Sequence, residues 1–188
     1  MADFKILAVS GSLRKGSYNT AALRAAQELA PAGVTIEIAD ISDLPMYNDD
    51  IRNEAYPEPC KRLRAQIAAA DAVLFAIPEY NYAVSAPMKN AFDWVSRPPD
   101  QPLNSKAVGL ISASVGPLGG IRGQYAMRHM LISTNSFCVN APQVVIGSAQ
   151  QKFDADGKFT DQMGRDLMKQ LLEALVKLAK QLRAPVNE

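Results

Sequence analysis

Histidine is almost absent from this chain of 188 residues, and cysteine is scarce. The single histidine is His129, and the two cysteines, Cys60 and Cys138, lie far apart with no further cysteine or histidine at metal-ligand spacing. This pattern favours packed thiols over a disulfide or a zinc site. A lone histidine with no adjacent Cys, Ser or Asp indicates packing or an interface, so we assign it no catalytic role.

The chain also lacks a charge excess and any long apolar run. Lys and Arg number 20 against 19 Asp and Glu, which gives a formal charge of +1 and no broad field to attract nucleic acid or anionic lipid. No apolar stretch approaches the roughly 20 residues of a membrane span, and the N-terminal run is too short for a signal peptide. We therefore expect a cytoplasmic protein with no nucleic-acid or membrane partner, in which any anion is bound at a local site.

Strand-like runs alternate with helix-like runs along the whole chain. A hydrophobic content of 48% over 188 residues favours a single domain, residues 1–188. The runs FKILAV, AVLFAI and KAVGLIS are nearly continuous, as inner strands are, whereas VTIEIAD alternates as an edge strand does. The pattern predicts a doubly wound, five-stranded parallel sheet of strand order 2-1-3-4-5 with helices on both faces, the flavodoxin-like α/β arrangement.

The pattern of apolar residues also predicts where the helices lie. Helical patterns cover about 19–30, the stripe from Cys60 to Ala70, about 86–95 and about 119–134, and a leucine-rich helix closes the chain. Residues 40–50, rich in Asp, Pro and Asn, are predicted to be a loop. In this fold, ligands bind at the carboxyl ends of strands one, three and four.

The loop after the first strand, SGSLRKGSYN over Ser10–Asn19, has the composition of an anion site. It combines hydroxyls, glycines and the cations Arg14 and Lys15 just before a helix. The nucleoside triphosphatase loop and the G-x-G-x-x-G fingerprint are both absent. These groups at a helix N-terminus suit one terminal phosphate bound without a metal. The alternative is that Ser17 or Asn19 only caps the helix and that the cations are solvated.

Two later loops are predicted to meet the first. After the third strand, PEYNY is stiff and carries flat rings, and backbone N–H groups near Tyr80 and Asn81 could meet the polar edge of a planar ring. After the fourth strand, Ser114 precedes glycines at 116, 119 and 120, which let a backbone approach a ligand closely. The three loops form a single crevice, so two successive ligands are expected to use it in turn.

These three motifs, in this order, resemble the NADPH-dependent FMN reductase family. GSLRKGSYN, PEYN-Y followed by S-x-P-x-K-N-A-x-D-W, and S-x-G-x-x-G-G are most similar to the bacterial quinone and chromate reductases, over about Phe4 to Gly123. The resemblance implies non-covalent FMN, NADPH or NADH as electron donor, and a ping-pong two-electron reduction of quinones, free flavins, azo dyes or metal oxyanions such as chromate. It implies no catalytic side chain and no metal, because the flavin supplies the redox chemistry.

The resemblance also implies which residues hold the cofactor. The implied set is Ser12, Leu13, Arg14, Lys15, Gly16, Ser17, Tyr18, Asn19, Pro78, Glu79, Tyr80, Asn81, Tyr82, Ser114 and Gly116. Within this set, the resemblance implies that the phosphate is bound by Ser12, Arg14, Ser17 and Asn19. It implies that residues 79–82 hold the flavin ring and that Ser114 lies at the far edge of the ring. Two rivals are a flavodoxin-type electron carrier and an FMN-binding module without nicotinamide turnover. Carriers are generally strongly acidic, unlike this chain.

The helix IRGQYAMRHMLI is apolar on more than one face but is interrupted by cations. Such a helix packs on its own sheet and on another chain. We therefore expect a homodimer or homotetramer whose interface includes Arg122, Tyr125 or Arg128. Trp94 fits either ring stacking or a place in the core or an interface, and Asp93 fits a structural role.

Overall fold

A computed structural model describes residues 4–183 of the chain. Its strands are β1 (Phe4–Ser10), β2 (Val34–Ala39), β3 (Ala72–Ala76), β4 (Glu79–Tyr80), β5 (Ala83–Val84), β6 (Ala107–Ala113), β7 (Phe137–Cys138) and β8 (Val144–Ile146). Its α-helices are α1 (Tyr18–Glu28), α2 (Asp49–Glu54), α3 (Glu58–Ala69), α4 (Ala86–Val95), α5 (Ile121–Ile132) and α6 (Gln162–Arg183), with a 3₁₀ turn at Ala149–Gln151.

The main sheet is parallel and has the order β2-β1-β3-β6-β7, with β8 also pairing with β6. The predicted 2-1-3-4-5 order is confirmed, with the fifth strand divided into β7 and β8. Val9 of β1 lies opposite Ala39 on one side and Phe75 on the other, which brings the carboxyl ends of three neighbouring strands into line. As predicted, the alternating strand β2 lies at the edge.

Side chains of successive strand residues enter two separate cores. Ile6 and Ala8 face a layer formed by α1 and α6, whereas Leu7 and Val9 face a layer formed by α3, α4 and α5. Alanines line the buried face of α1, so this helix approaches the sheet closely. Both faces of the sheet are covered, which explains the continuous apolar runs of β1, β3 and β6. Within residues 4–183, no helix is long and apolar enough to cross a membrane.

Two short elements differ from the sequence prediction. Helix α2 begins inside the segment predicted as a loop, where Asn48 caps it by accepting a hydrogen bond from the Asp50 N–H at 2.9 Å. It buries no residue, so it leaves no apolar periodicity to recognise. The other is an antiparallel hairpin, β4 and β5, in place of the stiff loop predicted after the third strand.

Trp94 is a core residue. It is 0% exposed, and its indole N–H donates to the carbonyl of Pro45 at 2.8 Å. The ring of Tyr47 meets it edge-on, with 5.0 Å between the ring centroids. Asp93 accepts from Lys89 at 2.7 Å on the same helix. These contacts support the core interpretation of Trp94 and the structural interpretation of Asp93.

Candidate functional site

The candidate site lies where the loops after β1, β3 and β6 meet at the carboxyl edge of the sheet. Gly11 permits the first two loops to touch: a Cβ at this position would lie 2.7 Å from Cδ of Pro78 and 2.8 Å from Oγ of Ser85. The Ser85 hydroxyl donates to the Gly11 carbonyl at 2.6 Å and also caps α4. One side chain therefore fixes the first loop against the helix that follows the second.

The loop after β1 presents backbone donors that the protein itself does not use. Throughout residues 4–183 no protein acceptor is found for the N–H groups of Leu13, Lys15, Gly16, Tyr18 and Asn19. The last two belong to the first turn of α1, where the helix dipole adds partial positive charge. Successive free N–H groups at a helix N-terminus form a site for a phosphate.

The cations of this loop are also free of partners. In the described part of the chain, neither Arg14 nor Lys15 has a carboxylate within 4 Å. The guanidinium of Arg14 lies 6.0 Å from the centroid of the Tyr18 ring. Because no internal anion neutralises them, these two charges favour an external anion at the same loop.

Two of the predicted phosphate ligands also have structural roles. Ser17 caps α1, since its hydroxyl accepts from the Thr20 N–H at 3.2 Å. Asn19 is buried, and its amide joins α1 to the end of β6 by donating to the carbonyl of Ala113 at 2.9 Å and accepting from its N–H at 3.0 Å. The helix cap considered as an alternative to phosphate binding is therefore present, together with the free donors.

The loop after β3 is fixed by one carboxylate. Glu79 accepts from Nε of Arg122 at 2.6 Å and from the backbone N–H groups of Arg122 and Gly123 at 3.0 and 3.3 Å. These bonds anchor the hairpin to the first turn of α5. The hairpin turn consists of Asn81 and Tyr82, both with positive φ, at 50° and 65°. Arg122 covers the Tyr82 ring at 4.0 Å, which holds a backbone conformation that tyrosine rarely adopts.

The glycines of the loop after β6 let it pack closely against the residues after β8. Gly119 has a φ of 59°, and a Cβ there would lie 2.7 Å from the backbone nitrogen of Gly147. Gly120, with a φ of 86°, starts α5. The loop therefore packs against the residues after β8, and it lines the same hollow as Tyr82.

Together the three loops enclose two adjacent hollows of about 250 and 410 Å³ that share Glu79 and Ser114. We call them jointly the cleft. Twelve of the fifteen predicted residues line it: Ser12, Arg14, Ser17, Tyr18, Asn19, Pro78, Glu79, Tyr80, Asn81, Tyr82, Ser114 and Gly116. Leu13 and Lys15 instead line a separate hollow on the β2 side of the loop, and Gly16 is exposed at its turn.

Comparison with known proteins places this fold and cleft in a family. The profile described as NADPH-dependent FMN reductase matches residues 4–151. The chain belongs to this family. It is 48% identical to an NAD(P)H-dependent FMN reductase of Pseudomonas aeruginosa, over 96% of this chain and 98% of the relative. It is 39% identical to a quinone reductase of Escherichia coli, over 84% of this chain and 86% of the relative.

Among solved structures, the flavoenzyme FerB, an NAD(P)H:(acceptor) oxidoreductase from Paracoccus denitrificans, superposes with a TM-score of 0.85. The two are 31% identical over 95% of this chain and 98% of FerB. The FMN reductase fold is therefore present over nearly the whole chain.

In this FMN reductase chain, sequence reasoning missed part of the cleft wall. Ala113, Val115 and Arg122 line the cleft but were not among the predicted site residues. Arg122 was predicted only at an interface, because its partner Glu79 lies 43 residues earlier. The one available signal was its position two residues after a Gly-Gly pair that starts a helix.

The reactive side chains of this FMN reductase lie elsewhere. His129 is exposed on α5 and is absent from the walls of the cleft. Cys60 and Cys138 are free thiols, and burial raises the pKa of both, that of Cys60 to about 11. Over residues 4–183 there is no cluster of three or more His, Cys, Asp or Glu side chains that could hold a metal. The cleft offers hydrogen-bond donors, one fixed carboxylate and ring faces.

Proposed function

We propose that the protein is an FMN-dependent NAD(P)H oxidoreductase that reduces quinones and related acceptors. The observation that carries the proposal is the array of free N–H groups and unpaired cations at the start of α1, in a chain of the FMN reductase family. Relatives named FMN reductase and quinone reductase support the donor and the acceptor class. The working unit in this proposal is a single cytoplasmic domain.

The residues present fit FMN in two parts. The free N–H groups of the loop after β1, with Arg14, would hold the phosphate. The adjacent hollow between the hairpin and the glycine-containing loop would hold the flavin ring. Two N–H groups, that of Asn81 in this hollow and that of Val115 in the smaller hollow beside it, have no acceptor anywhere in residues 4–183 and are available to polar atoms on the ring edge. When bound, FMN supplies two-electron transfer between a nicotinamide and an acceptor.

The balanced reaction is NAD(P)H + H⁺ + quinone → NAD(P)⁺ + hydroquinone. In this scheme the chain's own residues bind and orient the cofactor and the substrates and exclude water. None of them is assigned proton transfer. Glu79 keeps the hairpin against α5, and Tyr82 and Tyr80 present ring faces at the mouth. Because donor and acceptor share one cleft, NAD(P)⁺ leaves before the quinone enters, and the kinetics are ping-pong.

The test begins with the purified protein. We expect it to be yellow, to release FMN on denaturation, and to lose its yellow colour when NADPH is added without oxygen. A flavodoxin-type carrier or a binding module would keep its colour. Initial rates measured against NADPH at several fixed benzoquinone concentrations should then give parallel reciprocal plots. Intersecting lines would mean that both ligands occupy the cleft together, and failure to bind FMN after reconstitution would overturn the proposal.

The proposal includes a homo-oligomer formed through α5. Arg122, Tyr125, His129 and Ile132 form one exposed stripe along this helix, in which Tyr125 is 55% and Ile132 73% exposed. Arg128 is directed elsewhere: it donates to the Val139 carbonyl at 2.9 Å and steadies β7 from within the chain. Light scattering at micromolar concentration should show a dimer or tetramer, and Tyr125→Glu should shift it toward monomer. A fully active wild-type monomer would contradict this part of the proposal.

A further inference from the structure

The separate hollow that Leu13 and Lys15 line lies on the β2 side of the loop after β1, outside the cleft. Its volume is about 310 Å³, and we call it the β2 pocket. Its walls come from the end of β1, the following loop, one face of α1, and the end of β2 with the residues after it. The lining residues used below are Arg14, Lys15, Thr20, Arg24, Asp40 and Ser42.

The charges in this pocket are unbalanced. It contains three cations, Arg14, Lys15 and Arg24, against one carboxylate, Asp40. Across residues 4–183, no ion pair within 4 Å involves any of the three cations. By contrast, the neighbouring Arg62 is paired with Asp43 at 2.7 Å. With Arg14 assigned to the FMN phosphate, Lys15 and Arg24 still outnumber the one carboxylate of the pocket, which leaves an excess of positive charge there.

The carboxylate in the pocket is held in place and has one oxygen free. Oδ1 of Asp40 accepts from the Ser42 N–H at 2.8 Å, while Oδ2 has no protein partner within the described residues. The hydrogen bond that the Ser42 backbone N–H donates is the main cause that lowers the pKa of Asp40, so this side chain is an anion at neutral pH. The carboxylate itself repels a phosphate, whereas the three cations attract one. Asp40 accepts a hydrogen bond from a hydroxyl next to that phosphate.

We propose that the β2 pocket binds a sugar phosphate, with the phosphate at Arg24 and Lys15 and a sugar hydroxyl at Oδ2 of Asp40. The volume suits one ribose phosphate and is too small for a whole dinucleotide. In dinucleotide-binding folds, the end of the second strand is also where an acidic residue meets ribose and a nearby arginine meets a 2′-phosphate.

This chemistry has two possible sources, which one experiment separates. One is the adenosine ribose 2′-phosphate of NADPH, a reading that rests on the function proposed above. The other is a free sugar phosphate that binds independently of the electron donor. Arg24 is the residue to change, because it lines the β2 pocket, lies outside the predicted FMN site, and is one helical turn from Thr20 on the same face of α1.

The experiment measures binding to FMN-loaded protein by calorimetry at fixed ionic strength, with adenosine 2′,5′-bisphosphate and ribose 5-phosphate as probes. Arg24→Ala should weaken the probe that binds by at least tenfold, because it removes a charge-assisted hydrogen bond. Arg24→Lys should retain part of the affinity. Lys177→Ala, which removes one exposed cation from α6, is the matched control and should leave binding unchanged.

The outcomes distinguish the sources. Weakened bisphosphate binding, with a tenfold rise in the KM for NADPH relative to that for NADH, assigns the pocket to the donor. Weakened ribose 5-phosphate binding with an unchanged KM ratio assigns it to a free sugar phosphate. The proposal is overturned if Arg24→Ala behaves like Lys177→Ala with both probes, or if it weakens FMN itself, since the pocket would then be part of the cofactor site. The calorimetric result stands even if no nicotinamide is oxidised.

Discussion

The two walls of the cleft use their polar groups in opposite ways. In the loop after β1, five backbone N–H groups and two cations find no partner in residues 4–183. In the hairpin after β3, the carboxylate of Glu79 is saturated by Arg122 and the first turn of α5. The first wall is therefore built to bind, and the second to keep its shape. Substitutions in the first wall should change affinity, and those in the second should change stability.

The contact between the two walls should be the most sensitive point. Gly11→Ala places a methyl group 2.7 Å from Pro78 and 2.8 Å from Ser85, so the loops must separate. Overpacking of this kind costs about 2–3 kcal/mol in the free energy of unfolding, and we expect FMN affinity to fall about a hundredfold. Urea unfolding of the apoprotein and FMN titration measure the two effects.

Gly16→Ala is the matched control, in the same loop. No atom lies within 4 Å of the position that its Cβ would take. We expect wild-type stability for this variant. Equal effects at Gly11 and Gly16 would show that the contact with Pro78 and Ser85 is unimportant.

The second-largest effect is expected in the hairpin. Glu79→Ala removes one ion pair and two hydrogen bonds from backbone N–H groups. Arg122 is partly exposed, so most of the loss comes from the backbone donors, and we expect the apoprotein to lose about 2 kcal/mol of unfolding free energy. Glu79→Gln keeps an acceptor and should recover part of it. An apoprotein as stable as wild type would remove the proposed difference between the walls.

The loop after β1 should show the reverse. Arg14→Ala removes a cation that no protein group pairs with, so the apoprotein should unfold at the same urea concentration as wild type. FMN affinity should fall about tenfold to a hundredfold, the value of one charge-assisted hydrogen bond. Fluorescence titration of FMN gives the affinity. A change in stability without a change in affinity would assign Arg14 to the fold.

Ser17 caps α1 and is also a predicted phosphate ligand, and its substitution should give the smallest effect. Ser17→Ala removes the cap of α1, which costs about 1 kcal/mol of unfolding free energy in the apoprotein. A hydroxyl that also contacts the phosphate makes the loss in FMN binding free energy larger than the loss in unfolding free energy. Comparison with Ser17→Gly separates the two contributions, because glycine at this position costs the cap only a few tenths of a kcal/mol but also lacks the hydroxyl.

The sequence was a good guide wherever one local signal sufficed. Helix α4 occupies the predicted residues 86–95 because Ser85 and Pro87 mark its start. Strand order followed from which strands are apolar on both faces. The hairpin was not predicted because its turn requires Tyr82 at a positive φ, a conformation that tyrosine normally avoids. The role of Arg122 in the cleft depends on Glu79, a partner that no local pattern identifies.

The divided fifth strand has a consequence for how whole molecules can meet. At that edge of the sheet, β7 offers two residues and β8 three, with Pro142, which has no N–H, between them. At the opposite edge, β2 places Thr35 and Glu37 toward solvent. The divided border gives no long, flat row of free backbone groups to a strand from another molecule, and at the β2 border the exposed charge of Glu37 disfavours such pairing, so both borders resist edge-to-edge aggregation. For association between copies we therefore propose a helical surface.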